Sequence, residues 1–380
     1  MHTQNRNGFA LPIAIGSIVL IGTMVTGVFF VATQENRLGT NTLTQEKAFR
    51  AAEQMLNYAY GNWNNVQMNQ MAIGGVVTRV FDSTSKGWID TVQITRLSWA
   101  NYWITSTSSS GTANGARAKT GMIVRVAYPK MNFLGALTLR GALRVGGASF
   151  IEGYDSIPNG WTDCPPPGPG KPGIAMAPST NLTRVGCHKF NCVDGDPDIV
   201  RVAAANDTST YFNYGGDLNW QSLTSMATRV FEGAQDVQNI APSEINGVCN
   251  TADPKNFGDP NRASPAGPCE SYFPILYFKG LNVTVHLNTG EGQGILLVDG
   301  DLLVDGGFQW YGPVIVRGHV TTQGTGGHFN GAVMAADVDL EQNTVLGDAL
   351  IQYSSCAIDA ALVGSGMARR LPQRAWATIF

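Results

Sequence analysis

The sequence predicts an α+β protein. It would have a long N-terminal hydrophobic helix packed on an antiparallel sheet, then a mainly β, solenoid-like domain with a disulfide-rich insertion. Three observations carry this. Residues 7–34 hold no charge over 28 positions. Runs of Val, Ile, Thr and aromatic residues alternate between Gly, Ser and Asn breaks over 72–128. Near the C-terminus, Gly-centred apolar segments repeat at a fixed interval. Of 380 residues, 14% are charged and 45 are Gly, against roughly 25% charged and about 7% Gly in an average soluble chain. So little charge excludes an extended disordered chain. A net charge of −3 excludes a nucleic-acid binder acting by bulk positive charge. At roughly 150 residues per domain, two or three folded units are expected.

The first element is the helix. Phe9–Thr33 is apolar and, at about 1.5 Å per residue, outreaches a hydrocarbon layer of roughly 30 Å. Arg6 on the short side predicts a cytoplasmic N-terminus and an exported body. An ordinary secretory signal fits poorly, because no short apolar stretch ends in an Ala-x-Ala site; a plain single-pass anchor is the simpler alternative. Over 40–60, Leu43, Ala48, Ala52, Met55, Leu56 and Ala59 keep helical spacing, with Gln45, Glu46, Lys47, Arg50 and Glu53 largely opposite. The two stretches read as one rod of about 50 residues. Pro12 falls in its first turn, where a missing N–H costs little.

These residues resemble a known family. A short polar leader, Gly8-Phe9 and an apolar helix resemble a type IV prepilin signal. FALP at 9–12, QENR at 34–37 and KAFRAAE at 47–53 resemble the N-terminal segment of PilX-like minor pilins more closely. The resemblance covers about residues 6–60. It implies cleavage by a prepilin peptidase after Gly8 and N-methylation of Phe9. It also implies partners: other pilins and minor pilins along the helix, and an inner-membrane assembly platform. The chain would be held in the inner membrane before assembly and in an extracellular pilus afterwards. Major pilins of this kind carry Glu as the fifth mature residue, and here that position is Ile13. A buried carboxylate in such a place needs a partner. Its absence points to a tip or initiating subunit.

After the helix, 61–130 reads as the sheet, through strands at 89–97, 101–110 and 119–129. Further on, LLVDGDL (296–302), VIVRGHV (314–320) and AVMAADV (332–338) align with Gly300, Gly318 and Ala336 eighteen apart. LIQYSSC (350–356) extends the register, placing Cys356 at an inward position, and LTLRGAL (137–143) has the same shape. A β-solenoid over 131–157 and 291–365 is expected, with a β-sandwich as the alternative. Asp301, His319 and Asp337 would stack on one side, about 4.8 Å per rung. Each also suits a solvated turn. No catalytic residue is assigned, and the chain is read as a non-enzyme.

The remaining stretch, 158–290, holds 14 of 18 prolines and five of six cysteines and reads as an insertion. Export makes disulfides the default. Cys187–Cys192 would close a tight loop and Cys249–Cys269 a longer one, leaving Cys164 for Cys356. Cys187, His188 and Cys192 also form a partial zinc set without a fourth ligand. Asp194, Asp196 and Asp198 resemble the start of a calcium loop, but Ile199 stands where Gly is needed and Ala205 where Glu is needed. No cofactor is expected unless these carboxylates hold calcium. Trp161, Tyr211, Phe212, Tyr214 and Trp220 read as local core or a contact patch. Residues 366–380, with the basic ARRLPQR, read as a tail. The expected function is a structural minor pilin, at the tip or in initiation. A tip-borne adhesin, a DNA-binding module and a type II secretion pseudopilin are the alternatives, with a surface ligand or DNA as further partners.

Overall fold

The computed structural model describes every residue except 1–9, 64–66, 69–70, 84–87, 99, 111–114, 128, 189, 216–217, 263–266, 338–341, 371–375 and 380. The chain forms two compact units, Met1–Trp63 with Ala72–Arg125 and Arg369–Phe380, and Asn64–Met71 with Val126–Ala368.

In the first unit, α1 (Ala10–Gly61) runs unbroken for 52 residues. Its C-terminal half packs on an antiparallel sheet of β1 (Val76–Ser83), β2 (Trp88–Arg96), β3 (Asn101–Ser110) and β4 (Arg117–Ala127). Ala48, Ala52, Leu56 and Ala59 are buried there, and the small Ala residues let the helix backbone approach. Val92, Ile94, Tyr102, Ile104, Met122 and Val124 supply the sheet's covered face, alternating with less buried residues such as Gln93, Trp103 and Ile123. Trp63 meets Tyr102 edge-on at 5.0 Å, and Gln45 Nε2 donates to the Arg117 carbonyl at 2.9 Å.

The C-terminal residues correct one expectation. Met367–Arg370 and Trp376–Ile379 are strands beside β4, with Trp376 opposite Met122 and Ile379 opposite Lys119, so 366–380 is not a free tail. They cover an edge that β4 would otherwise leave open to pairing with another chain. The body of the second unit is therefore inserted, in sequence, between strands of the first unit's sheet.

That body is a curled, β-helix-like sheet of parallel strands. The first strands along the chain are β5 (Leu137–Leu139), β6 (Leu143–Gly146), β7 (Phe150–Glu152), β8 (Ile174–Met176), β9 (Leu182–Val185), β10 (Val193–Asp194) and β11 (Ile199–Arg201). After a crossover come β12 (Arg229–Glu232), β13 (Gln235–Ile240), the hairpin β14 (Glu244–Ile245) and β15 (Val248–Cys249), β16 (Ile275–Lys279) and β17 (Thr284–Gln293). The last are β18 (Ile295–Val298), β19 (Asp301–Asp305), β20 (Phe308–Val316), β21 (Val320–Thr322), β22 (Gly327–Ala335), β23 (Asn343–Val345) and β24 (Leu350–Tyr353).

The ladder does not follow chain order. One row runs β12, β16, β18, β20, β22, β5, β8, β11, so Val333–Ala335 pair with Leu137–Leu139 nearly two hundred residues away. A second runs β13, β17, β19, β21, β23, β6, β9. Several stretches of 158–290, β8 to β13, β16 and the start of β17, are thus ladder rather than insertion. The excursions are 154–173, the crossover and 241–274.

The crossover must travel from β11 at one end of the ladder to β12 at the other. It does so through a 3₁₀ turn (Ala203–Asn206), α2 (Thr208–Phe212) and α3 (Trp220–Ser225), burying Tyr211, Tyr214, Leu218 and Leu223. That cover explains why Ile295–Val298, Val314–Val316 and Val333–Ala335 are buried at every position, as continuous apolar runs. The last helix, α4 (Ser355–Gly364), packs on β20 and β22. At the two ends Arg replaces the apolar rung residue. Arg201, beside Met176, donates to the carbonyls of Ala177, Pro178 and Thr180, and Arg229, beside Leu276, to those of Thr251 and Asp253. A charged, hydrogen-bonded terminus discourages further stacking.

The repeat of eighteen holds for one step only. Leu296 pairs with Val314, eighteen on, but Val314 pairs with Val333, nineteen on. The turn from Val304 to Phe308 has three residues, and the equivalent from Thr322 to Gly327 has four. AVMAADV is therefore displaced by one, and Cys356 lies in α4 rather than on a rung.

Gly312 has φ +129, and a Cβ there would run into the Gly294 carbonyl and come within 2.9 Å of the Ala361 Cβ. Gly324, at φ +61, has open space around it. Gly312→Ala should cost about 2–4 kcal/mol in denaturant unfolding and Gly324→Ala about 1 kcal/mol.

Candidate functional site

The N-terminal half of α1 is the largest apolar surface of the chain. Leu11, Ile13, Ile15, Ile18, Val19, Leu20, Ile21, Met24, Val25, Val28, Phe29, Phe30 and Val31 are all exposed, on every side of the helix. The helix is long and apolar enough to cross a membrane, with a mean hydropathy of 2.2 over its best window. Its hydroxyls are satisfied internally: Ser17 donates to Ala14, Thr23 to Leu20, Thr26 to Gly22 and Thr33 to Phe29. A helix all of whose polar groups bond within itself can lie in hydrocarbon. Polar character begins beyond Gln34, and Glu46 and Arg50 form an exposed i,i+4 pair. Gly8 and Phe9, the expected cleavage and N-methylation positions, lie outside the described residues.

The expected turn ladder is partly assembled. His319 donates from its backbone N–H to Asp301 Oδ1 at 3.0 Å, and its Nδ1 is 3.0 Å from the same oxygen. Asp337 does not join them, because the longer turn shifts it by one. Its N–H donates to the Gly318 carbonyl, and its buried carboxylate accepts from Asn343 Nδ2 at 3.1 Å.

The neighbouring position carries a stronger cluster that sequence reasoning did not single out. Asp299 is buried, 3.0 Å from Arg317, and accepts from the Tyr277 hydroxyl at 2.5 Å. The Arg317 guanidinium lies 5.7 Å from the Phe212 ring and 5.9 Å from Trp220, so it ties the crossover to the ladder. Burial, then the Asp299 bond, pushes the Tyr277 hydroxyl well above its ordinary range. Its signal in the sequence was the Asp299/Arg317 spacing of eighteen.

The cysteines pair as Cys187–Cys192, Cys249–Cys269 and Cys164–Cys356. The partial zinc set is thereby excluded, since both its thiols are oxidised. Cys164 and Cys356 sit in a small cluster with Trp161 and Ala357, where Trp161 stacks on Tyr311 at 5.8 Å and the Arg262 guanidinium lies 4.0 Å over the Trp161 ring. Tyr211 and Tyr214 are core, their hydroxyls donating to the Ala205 and Tyr211 carbonyls.

Among the described residues no three His, Cys, Asp or Glu side chains converge as metal ligands, so Asp194, Asp196 and Asp198 do not meet at a point. Asp194 instead accepts from the Gly195 N–H at 2.9 Å, and Asp196 and Asp198 are exposed.

No protein-family model matches the chain, and no curated protein sequence matches it. Among solved structures it is similar to the competence-associated pilin ComZ from Thermus thermophilus, at 11% identity and a TM-score of 0.25, over 88% of this chain and 97% of that one. So low a score carries no inference about fold or function.

Asp299→Ala should destabilise the protein by about 1–3 kcal/mol, less than a fully buried pair because Arg317 is nearly a third exposed; denaturant midpoints measure this. A pH effect is expected at Glu291, whose carboxyl is raised by burial and by the charge of Asp259, itself raised by burial. A raised carboxyl keeps its proton longer in the fold than in the unfolded chain. Its stabilisation is therefore greatest in acid and falls as pH rises from the ordinary carboxylate range to the raised value. Glu291→Gln should raise Tm at neutral pH and leave it unchanged at acid pH.

Proposed function

We propose that this chain is a pilin-like structural subunit of a type IV pilus, a minor one acting at the tip or in initiation. One observation supports the reading above all. A single helix is apolar on every side over its first half and packs an Ala-lined stripe on an antiparallel sheet over its second. A helix of that kind serves two environments without refolding. In the membrane its exposed side chains meet lipid. In a fibre the same side chains meet the equivalent helices of neighbouring subunits, with hydrophobic contact replacing lipid contact.

On this reading a prepilin peptidase removes residues 1–8, leaving Phe9 as an N-methylated first residue. Ile13 then favours a position with no neighbour on that side, because no carboxylate is present to pair with another subunit's amine. The large second unit, inserted in sequence between strands of the sheet, adds bulk that a terminal position accommodates best. The partners are other pilins along the helix and the assembly platform in the membrane.

The test is the N-terminus of the assembled protein. Mass spectrometry of sheared surface fibres should find peptides starting at N-methylated Phe9. Gly8→Trp should accumulate in the membrane as precursor and be absent from fibres. Normal export of that variant, or an intact Met1 on the wild-type surface protein, would overturn the reading. Labelling along the whole length of fibres would overturn the tip position alone.

A further inference from the structure

Two sequence motifs without an assigned role, the Pro-rich CPPPGPGKPG and the acidic VDGDPD, are brought side by side. The carbonyl of Lys171 accepts from the Asp196 N–H at 3.1 Å, and that of Pro197 from the Gly173 N–H at 3.3 Å. The Pro-rich segment is pinned along its length. Cys164 is bonded to Cys356 of α4, the Gly168 N–H donates to Asp155 Oδ2 at 2.6 Å, and the Lys171 N–H donates to the Gly153 carbonyl at 2.8 Å. The same Asp155 carboxylate accepts from the Ser355 N–H at 2.7 Å and hydroxyl at 2.6 Å, so loop and helix share one anchor.

Between these anchors Pro165–Pro169 is exposed at every residue. Pro holds φ near −65°, and a residue preceding Pro is barred from the helical region. Cys164, Pro165, Pro166 and Gly168 all precede Pro, which biases the segment toward extended, polyproline-like backbone. Such a ridge has no internal hydrogen bonds, and its carbonyls stay free to accept from a partner. At its foot Asp196 and Asp198 are exposed, and Tyr154, itself 46% exposed, borders Gly170. The Tyr154 hydroxyl is pushed above its ordinary value first by the charge of Asp194, then by partial burial and by Asp196, Asp198 and Glu152, which shows the sign of the local field.

We propose that the Pro165–Pro169 ridge and the Asp194–Asp198 turn form one docking surface for a protein groove lined by aromatic side chains and rimmed by Lys or Arg. Aromatic rings take the flat faces of consecutive prolines, and a pre-ordered ligand loses little entropy on binding. The acidic foot selects a cationic rim and repels phosphate-rich surfaces such as nucleic acid or anionic lipid. The surface stands independently of the pilus reading.

The probe is a fluorescently labelled WW domain, an aromatic polyproline groove, in a version with arginines at its rim. It is titrated with the full chain in detergent and followed by anisotropy. Saturable binding is expected, weakened about tenfold or more by Pro166→Ala/Pro167→Ala. Asp196→Asn/Asp198→Asn and added salt should each weaken it further. Both variants should keep the wild-type Tm and the Cys164–Cys356 bond, so that loss of binding is not loss of fold. No binding by the wild type, or equal binding by the Pro variant, would overturn the proposal. Insensitivity to the Asp changes would overturn the cationic rim. Self-association in light scattering that disappears in the Pro variant would make a second copy the occupant and overturn the proposal as well.

Discussion

A parallel strand with no polar residue on either side has to be covered on both sides, and this requirement organises the larger unit. Ile295–Val298, Val314–Val316 and Val333–Ala335 are buried at every position, so their inner faces stack on one another and their outer faces need another layer. The chain supplies that layer from its own crossover. Having built the β5–β11 end, it must reach the β12 end, and the path over the outer face delivers Tyr211, Tyr214 and Leu223 where they are needed. Arg317, between the crossover's aromatic rings and Asp299, holds the two layers in register.

The excursions are tethered by a different rule. The 154–173 and 241–274 loops are rich in Pro and poor in apolar side chains, so burial alone cannot order them. Cys164–Cys356 and Cys249–Cys269 hold these two loops, and single polar side chains finish the work. Asp155 joins the Pro-rich loop to the start of α4, and Asn256 in the 241–274 loop donates to the Ser243 and Asn250 carbonyls. Rigid, exposed and weakly hydrophobic loops of this kind suit recognition better than core-building. The first unit separates its tasks along one helix: Ala48, Ala52 and Leu56 hold the sheet, and residues 11–33 remain exposed.

Local chemistry was readable without the fold. Twenty-eight uncharged residues announce the apolar half of α1, and Ala48, Ala52, Leu56 and Ala59 at helical spacing mark the face that packs. The strands at 89–97, 101–110 and 119–129 fall on β2, β3 and β4 to within a few residues. The segments at 137, 296, 314, 332 and 350 are all ladder strands. Loop length and elimination matched the three cysteine pairs, since Cys187 and Cys192 lie 5 positions apart and Cys249 and Cys269 lie 20 apart.

Tertiary structure decided what depends on pairing between distant residues. An apolar run shows that a strand is a rung but not which rung it abuts, because ladder hydrogen bonds are backbone bonds that carry no side-chain identity. Val333 therefore finds Leu137 rather than a sequence neighbour, and residues inside 158–290 prove to be ladder. One extra turn residue before Gly327 moves Asp337 from the line of Asp301 and His319 to a buried bond with Asn343. The C-terminal residues look like a basic tail until the free edge of β4 pairs with them. By itself the sequence determined the long N-terminal helix, the strands of the first sheet, the most apolar rungs and the cysteine-stapled loops, because those follow from side-chain periodicity and covalent chemistry. Their order in space, and the placing of the Pro-rich ridge beside the acidic turn, came only from long-range closure of the ladder.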